Sequence, residues 1–142
     1  PLVRYSMACP AFPTCGLAIA ESERALPGIL RRIRALLDRL GLSDEKFVTR
    51  MTGCPNGCAR PYLGEIGLVG RTIGKYNLYL GANAQGSRLN VLYREMADED
   101  TILTILKDIL QQYAAQRLEN ERLGDFIVRT KLVQIPFVVQ NL

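Results

Sequence analysis

Thr52-Gly53-Cys54-Pro55-Asn56-Gly57-Cys58-Ala59-Arg60-Pro61 is the stretch on which the rest of the chain is organised. Lys46–Met51, with Phe47, Val48 and Met51 apolar, leads straight into it and reads as a strand, and a second strand is predicted just beyond it at Glu65–Arg71. Two of the four cysteines lie in this stretch. The other two, Cys9 and Cys15, sit in Ala8-Cys9-Pro10-Ala11-Phe12-Pro13-Thr14-Cys15-Gly16. In both segments the gaps between cysteines are filled with Pro, Gly, Asn and Thr. Such residues turn the backbone sharply, leave amide N–H groups free and let the chain come close to a bulky object. Two rigid loops carrying four thiolates, with free amides to hydrogen-bond sulfur, are what an iron–sulfur cluster requires.

Other uses of four cysteines remain open at this point. Two disulfides suit a small exported domain, whereas this chain is 48% hydrophobic and shows no secretory leader among its first residues. A four-cysteine zinc site ordinarily has shorter knuckles than Cys9-x5-Cys15, a spacing that a cubane tolerates because it spreads its ligands. The absence of histidine excludes His-ligated zinc, a Ser–His–Asp triad and imidazole acid–base chemistry. The net charge of +4 is modest, and no basic run is interleaved with aromatics, so nucleic acid is not an expected partner. No apolar run reaches the ~18 residues of a membrane helix. The first residue is Pro and Cys9 follows almost at once, so the chain is expected to be a fragment of a longer polypeptide.

Outward from the centre the pattern is that of an α/β protein. A short helical turn is predicted over Ile19–Glu23. A helix then opens at Pro27 and closes at Gly41, with Leu26, Ile29, Leu30, Ile33, Leu37 and Leu40 on its apolar face. Arg31, Arg32, Arg34 and Arg39 occupy mostly its other face, as a solvated surface or as a docking face for an acidic electron donor. Lys75–Leu80 alternates with period two, Gly70 and Gly74 bracket a hairpin connection, and Arg88–Arg94 reads as a further strand. Asp98 caps the longest helix, which carries Ile102, Leu103, Ile105, Leu106, Ile109, Leu110 and Tyr113 and ends near Arg117. A short helix is predicted over Leu123–Lys131. The expected fold class is a mixed β-sheet covered by helices, with a domain over residues 1–131 and an extended apolar tail over 132–142.

The pairing of Cys9-x5-Cys15 with Cys54-x3-Cys58 resembles the ligand set of the sulfite and nitrite reductases. So does the continuation from Thr52-Gly53-Cys54 through Cys58 to Glu65-Ile66-Gly67-Leu68. Three segments resemble the sulfite reductases more closely than the nitrite reductases: Cys54–Pro61, Gly74-Lys75-Tyr76-Asn77-Leu78-Tyr79-Leu80-Gly81 and Gly124-Asp125-Phe126. The similarity runs from Ala8 to about Arg129. It implies the cluster-binding C-terminal part of that haemoprotein fold, with Cys9, Cys15, Cys54 and Cys58 holding a [4Fe–4S] cluster. Cys58 would also bridge to the iron of a sirohaem, and the enzyme would reduce sulfite to sulfide by six electrons from ferredoxin or an NADPH-linked flavoprotein. Arg50 and Arg60 lie close enough in sequence to offset cluster charge, and Asn56 and Gly57 are expected to shape the turn. Asn56 and Arg60 are also the cofactor-pocket candidates. The sulfite-binding arginines and lysines of the family belong to an N-terminal portion with no counterpart in this chain, so no catalytic residue is assigned. The resemblance further implies a protein of the cytoplasm, or of the plastid stroma in a plant.

Overall fold

The structure, a computed structural model, describes residues 1–134. Five strands form one sheet in simple sequential order: β1 (Ser6–Ala8), β2 (Thr49–Thr52), β3 (Ile66–Thr72), β4 (Lys75–Leu80) and β5 (Val91–Ala97). β1, β2 and β3 are mutually parallel; β4 and β5 are antiparallel to their neighbours. Three α-helices accompany them: α1 (Leu26–Arg39), α2 (Glu99–Gln116) and α3 (Leu123–Arg129). The mixed α/β sheet with helical cover expected from the sequence is therefore present.

Parallel neighbours need crossover connections. Between β1 and β2 the crossover carries the first cysteine loop and α1. Between β2 and β3 it carries the central cysteine loop and a short 3-10 helix, Pro61–Leu63. The two cysteine loops thus leave the carboxyl ends of adjacent parallel strands, where α/β sheets commonly place ligands.

Sequence patterns account for the helices. Pro27 stands in the first turn of α1, where its missing N–H costs nothing. Gly41 at φ +72° ends that helix in a Schellman motif, with Leu42 N–H on Leu37 O at 2.8 Å and Leu42 buried against the core. Asp98 caps α2 by accepting Thr101 N–H at 2.8 Å, and Arg32 of α1 meets Glu99 and Asp100 in its first turn at 2.8 and 2.9 Å. The apolar faces of α1 and α2 enter one core with Met51, Ile66, Leu68, Leu78 and Leu80 of the sheet. Tyr113 sits at its far end, edge-on to Phe47 and Phe126.

Several expectations need correction. Ile19–Glu23 does not form a helical turn, because the Ile19 and Ala20 N–H groups are both spent on Gly53 O at 3.1 and 3.0 Å; the turn begins at Ser22. β2 starts at Thr49 rather than Lys46, since Phe47 is drawn into the core beside Tyr113. β5 starts at Val91 rather than Arg88. Asn83 Oδ1 accepts the Ser87 and Arg88 N–H groups, and Arg88 reaches Gly81 O and Asp125, so the chain is still in its loop there. Gly70 lies inside β3, not in the hairpin turn, and the turn is made at Ile73–Gly74 with Gly74 at φ +71°. β1 has no counterpart among the expected strands. Packing continues past residue 131: Leu132 N–H bonds Ile127 O at 3.1 Å and Val133 is buried. Most of the expected tail, 135–142, lies outside the described residues.

Candidate metal centre

Cys9 begins the loop after β1, and its backbone stays tied to the sheet by N–H···O contact with Met51 at 3.1 Å. The loop then tightens through Ala11 at φ +51° and a cis Phe12–Pro13 bond, and Cys15 N–H returns to Ala11 O at 2.8 Å. On the β2 side, Thr52 Oγ1 donates to Cys54 O at 3.1 Å, Gly57 turns the chain at φ +69°, and Arg60 N–H closes on Gly57 O at 2.8 Å.

The two loops lock together at Gly53. Its carbonyl accepts Ile19 and Ala20, and its N–H points at Cys9 Sγ at 3.2 Å. A Cβ at this position would stand 2.6 Å from both Ala11 Cβ and Ala20 O, so only glycine fits between the loops. Gly70 of β3 serves the same closeness from below, where a Cβ would lie 2.5 Å from Gly53 O. Ser22 Oγ, fully buried, donates to Met51 O at 2.8 Å and fixes the exit of the first loop onto β2.

All four cysteines are free thiols, and all four line one hollow of about 150 Å3. Its walls are otherwise mostly apolar (Pro10, Ala11, Leu17 and Ala18 among them), and among the described residues no carboxylate lines it. Cys9, Cys15 and Cys54 are half-buried, whereas Cys58 is exposed. Among the described residues no three Cys, His, Asp or Glu side chains are gathered tightly enough to hold a single metal ion. The thiols ring a space instead of meeting at a point. A soft-donor set of four thiols around an apolar hollow, with a backbone N–H already on one sulfur, fits a cubane cluster.

The remaining sequence candidates are distributed differently. Asn56 is exposed on the rim of the hollow. Arg60 is exposed, stands outside the lining and adopts φ +52° ahead of the 3-10 helix. Arg50 lies beneath the turn after Cys58, donating from Nη1 to Ala59 O and Met7 Sδ, each at 3.2 Å. Arg32, considered for donor docking, is engaged by Glu99 and Asp100 and ties α1 to α2.

Glu65 has a structural place that sequence reasoning did not supply. It is fully buried and accepts Val48 N–H at 2.8 Å, Gly124 N–H at 3.2 Å and Arg122 Nη2 at 2.9 Å. It therefore ties the start of α3 to the entry of β3. Gly124 is required there because a Cβ would lie 1.8 Å from Ala82 O. The wide separation of Glu65 and Gly124 in sequence hid the pairing, although both stood in the quoted segments.

The model of the nitrite and sulphite reductase 4Fe-4S domain matches residues 1–138. The chain belongs to this family. It is 59% identical over 133 residues to the sulfite reductase [NADPH] hemoprotein beta-component of Chromohalobacter salexigens, covering 94% of this chain and 23% of the relative. The proteins of the same name from Staphylococcus haemolyticus and Nitrosomonas eutropha are 56% and 55% identical, covering 93% and 91% of this chain and 23% and 22% of theirs. The chain thus spans under a quarter of the length of the relatives it matches. Among solved structures it resembles Mycobacterium tuberculosis NirA with a TM-score of 0.70 at 20% identity, over 92% of this chain and 26% of that one, a likeness of fold. No described helix is long and apolar enough to cross a membrane.

Proposed function

We propose that this chain is the cluster-binding part of an assimilatory sulfite reductase, with Cys9, Cys15, Cys54 and Cys58 as ligands of a [4Fe–4S] cluster. Cys58 would also share its thiolate with the iron of a sirohaem. The observation that carries the reading is the ring of four free thiols, from two interlocked loops, around one hollow with Cys58 facing out. The outermost thiol is the one able to reach a second group. When bound, the coupled centre supplies the electron storage and transfer that a six-electron reduction of sulfite to sulfide demands.

The chain's own residues do the holding. Gly53 N–H donates to Cys9 Sγ and lowers the electron density on that ligand, a lever by which proteins tune cluster potential. The apolar wall lowers the polarity around the half-buried Cys9, Cys15 and Cys54. Gly57 and Asn56 shape the turn that directs Cys58 outward. Sulfite contacts belong to the N-terminal portion of the longer enzyme. β5, an edge strand among the described residues with Leu92, Tyr93 and Met96 exposed, offers that portion a packing surface. An NADPH-linked flavoprotein in the cytoplasm is the favoured electron donor over ferredoxin, in keeping with the names of the close relatives.

The test is anaerobic reconstitution with iron and sulfide, counting iron and zinc and recording the absorption spectrum. Roughly four irons per chain with a broad band near ~400 nm is the expected result. One zinc per chain without colour would replace this reading with a structural zinc module held by the same four cysteines.

A further inference from the structure

Sheet register places Met7, Arg50, Gly67, Tyr79 and Leu92 side by side, one from each strand, in a single row across the sheet. In β2 this row has the opposite parity to the core residue Met51, so it lies on the face turned away from the main core. The segment that follows Cys58 is laid along this row. Ala59 O rests on Arg50 Nη1. Pro61 O lies against Gly67, where a Cβ would be only 2.4 Å away. Tyr62 meets Tyr79 edge-on, with ring centroids 5.2 Å apart. Asn90 pins the same segment from the side, Nδ2 donating to Pro61 O at 2.8 Å and Gly64 O at 2.9 Å.

The residue of this bed that holds the carbonyl next to Cys58 is Arg50, the only charged side chain of the row. Among the described residues its Nε is buried without a partner, so desolvation of the guanidinium is incompletely repaid by its hydrogen bonds. A stem of that length ending in methionine would fill the same space at lower desolvation cost. A guanidinium held there fits a demand that packing alone does not make. We propose that Arg50 is a positioning residue for Cys58: by holding the carbonyl of the next residue it sets where the exposed thiolate points, and so the coupling between the two groups Cys58 joins. The inference rests on the bridging role proposed above for Cys58.

The experiment compares the full-length holoenzyme with Arg50→Met and Arg50→Lys. Iron per chain, reduction potential and the spectroscopic signature of cluster–haem coupling are read alongside sulfite turnover. Arg50→Met is expected to retain about four irons, lose most of the coupling signature and slow turnover about tenfold or more, as for other residues that orient a metal ligand. Arg50→Lys, which keeps a donor and the charge without the guanidinium geometry, should recover part of both. If Arg50→Met does not load iron, Arg50→Lys decides alone: coupling below wild type supports the proposal. Coupling equal to wild type in loaded Arg50→Met, or in Arg50→Lys where it alone loads, overturns it, and so does failure of both variants to load, which would make Arg50 a folding requirement. A wild type that itself holds no coupled centre overturns the functional reading and this inference together. A coupled wild type with unchanged variants overturns the inference alone.

Discussion

Replacing Gly53 by alanine tests whether the two cysteine loops form one interlocked unit. The added methyl would stand 2.6 Å from Ala11 Cβ and 2.6 Å from Ala20 O, against the ~3.5–4.0 Å of ordinary contact. One loop must therefore back away by about 1 Å. Overpacking of that kind costs about 1–3 kcal/mol. The same shift stretches the bonds from Ile19 and Ala20 to Gly53 O and from Gly53 N–H to Cys9 Sγ, and weakening these adds about 1 kcal/mol. A destabilisation of about 2–4 kcal/mol is expected by urea denaturation of the apo chain, with lower iron occupancy after reconstitution. Gly16→Ala is the matched control. It adjoins Cys15, has open space around its Cβ position and has no positive φ, so it should stay within about 0.5 kcal/mol of wild type. Equal stability of Gly53→Ala and Gly16→Ala would refute the interlock.

Arg122→Leu should cost about 2–3 kcal/mol by denaturant titration, because it leaves the fully buried Glu65 carboxylate with only two backbone donors; the partial exposure of Arg122 keeps the loss below that of a wholly buried pair. Burial pushes the Tyr76 and Tyr113 hydroxyls up from 10.0 to about 12. The neutral form is the one folding favours, so their contribution is complete below about pH 10 and disappears as pH rises through about 12. A thermal melting series from about pH 8 upward should fall across that window, and Tyr76→Phe should flatten part of the fall. Cys58→Ser in the full-length protein should uncouple the sirohaem and abolish sulfite reduction; near-normal turnover would remove the bridging assignment.

The elements legible in the sequence are those whose signals are local. Lys75–Leu80 alternates strictly and follows Gly74 at a tight turn, and β4 occupies those same residues. Asp98 announced α2 because capping uses a side chain three residues from the amide it bonds. The four cysteines were legible as a set, and the fold brings them to one hollow. What escaped were features built from distant partners. β1 is three residues, Ser-Met-Ala, too short to carry a period, and it exists because β2 offers it an edge. The supports of the central loop (Arg50 on Ala59, Asn90 on Pro61 and Gly64) depend on strand register, which no local pattern reveals. Arg32 looked like a free surface charge only because Glu99 and Asp100 lie far along the chain.

Among the described residues β1 pairs with a single neighbour over three residue positions, whereas β2 is held on both sides. Local opening is cheapest at such an edge. Peeling β1 away loosens the first loop at Cys9, although its far end stays latched by the Ile19 and Ala20 bonds to Gly53 O, while Cys54 and Cys58 stay anchored on the interior strand. The centre is thus a clasp with one fixed jaw and one hinged jaw. A cluster held as proposed would be gripped unequally, by an anchored pair and by a pair whose hinge is the edge strand and whose latch is Gly53 O. Its loss should then follow the stability of those few edge hydrogen bonds together with the latch at Gly53, more closely than the stability of the domain as a whole.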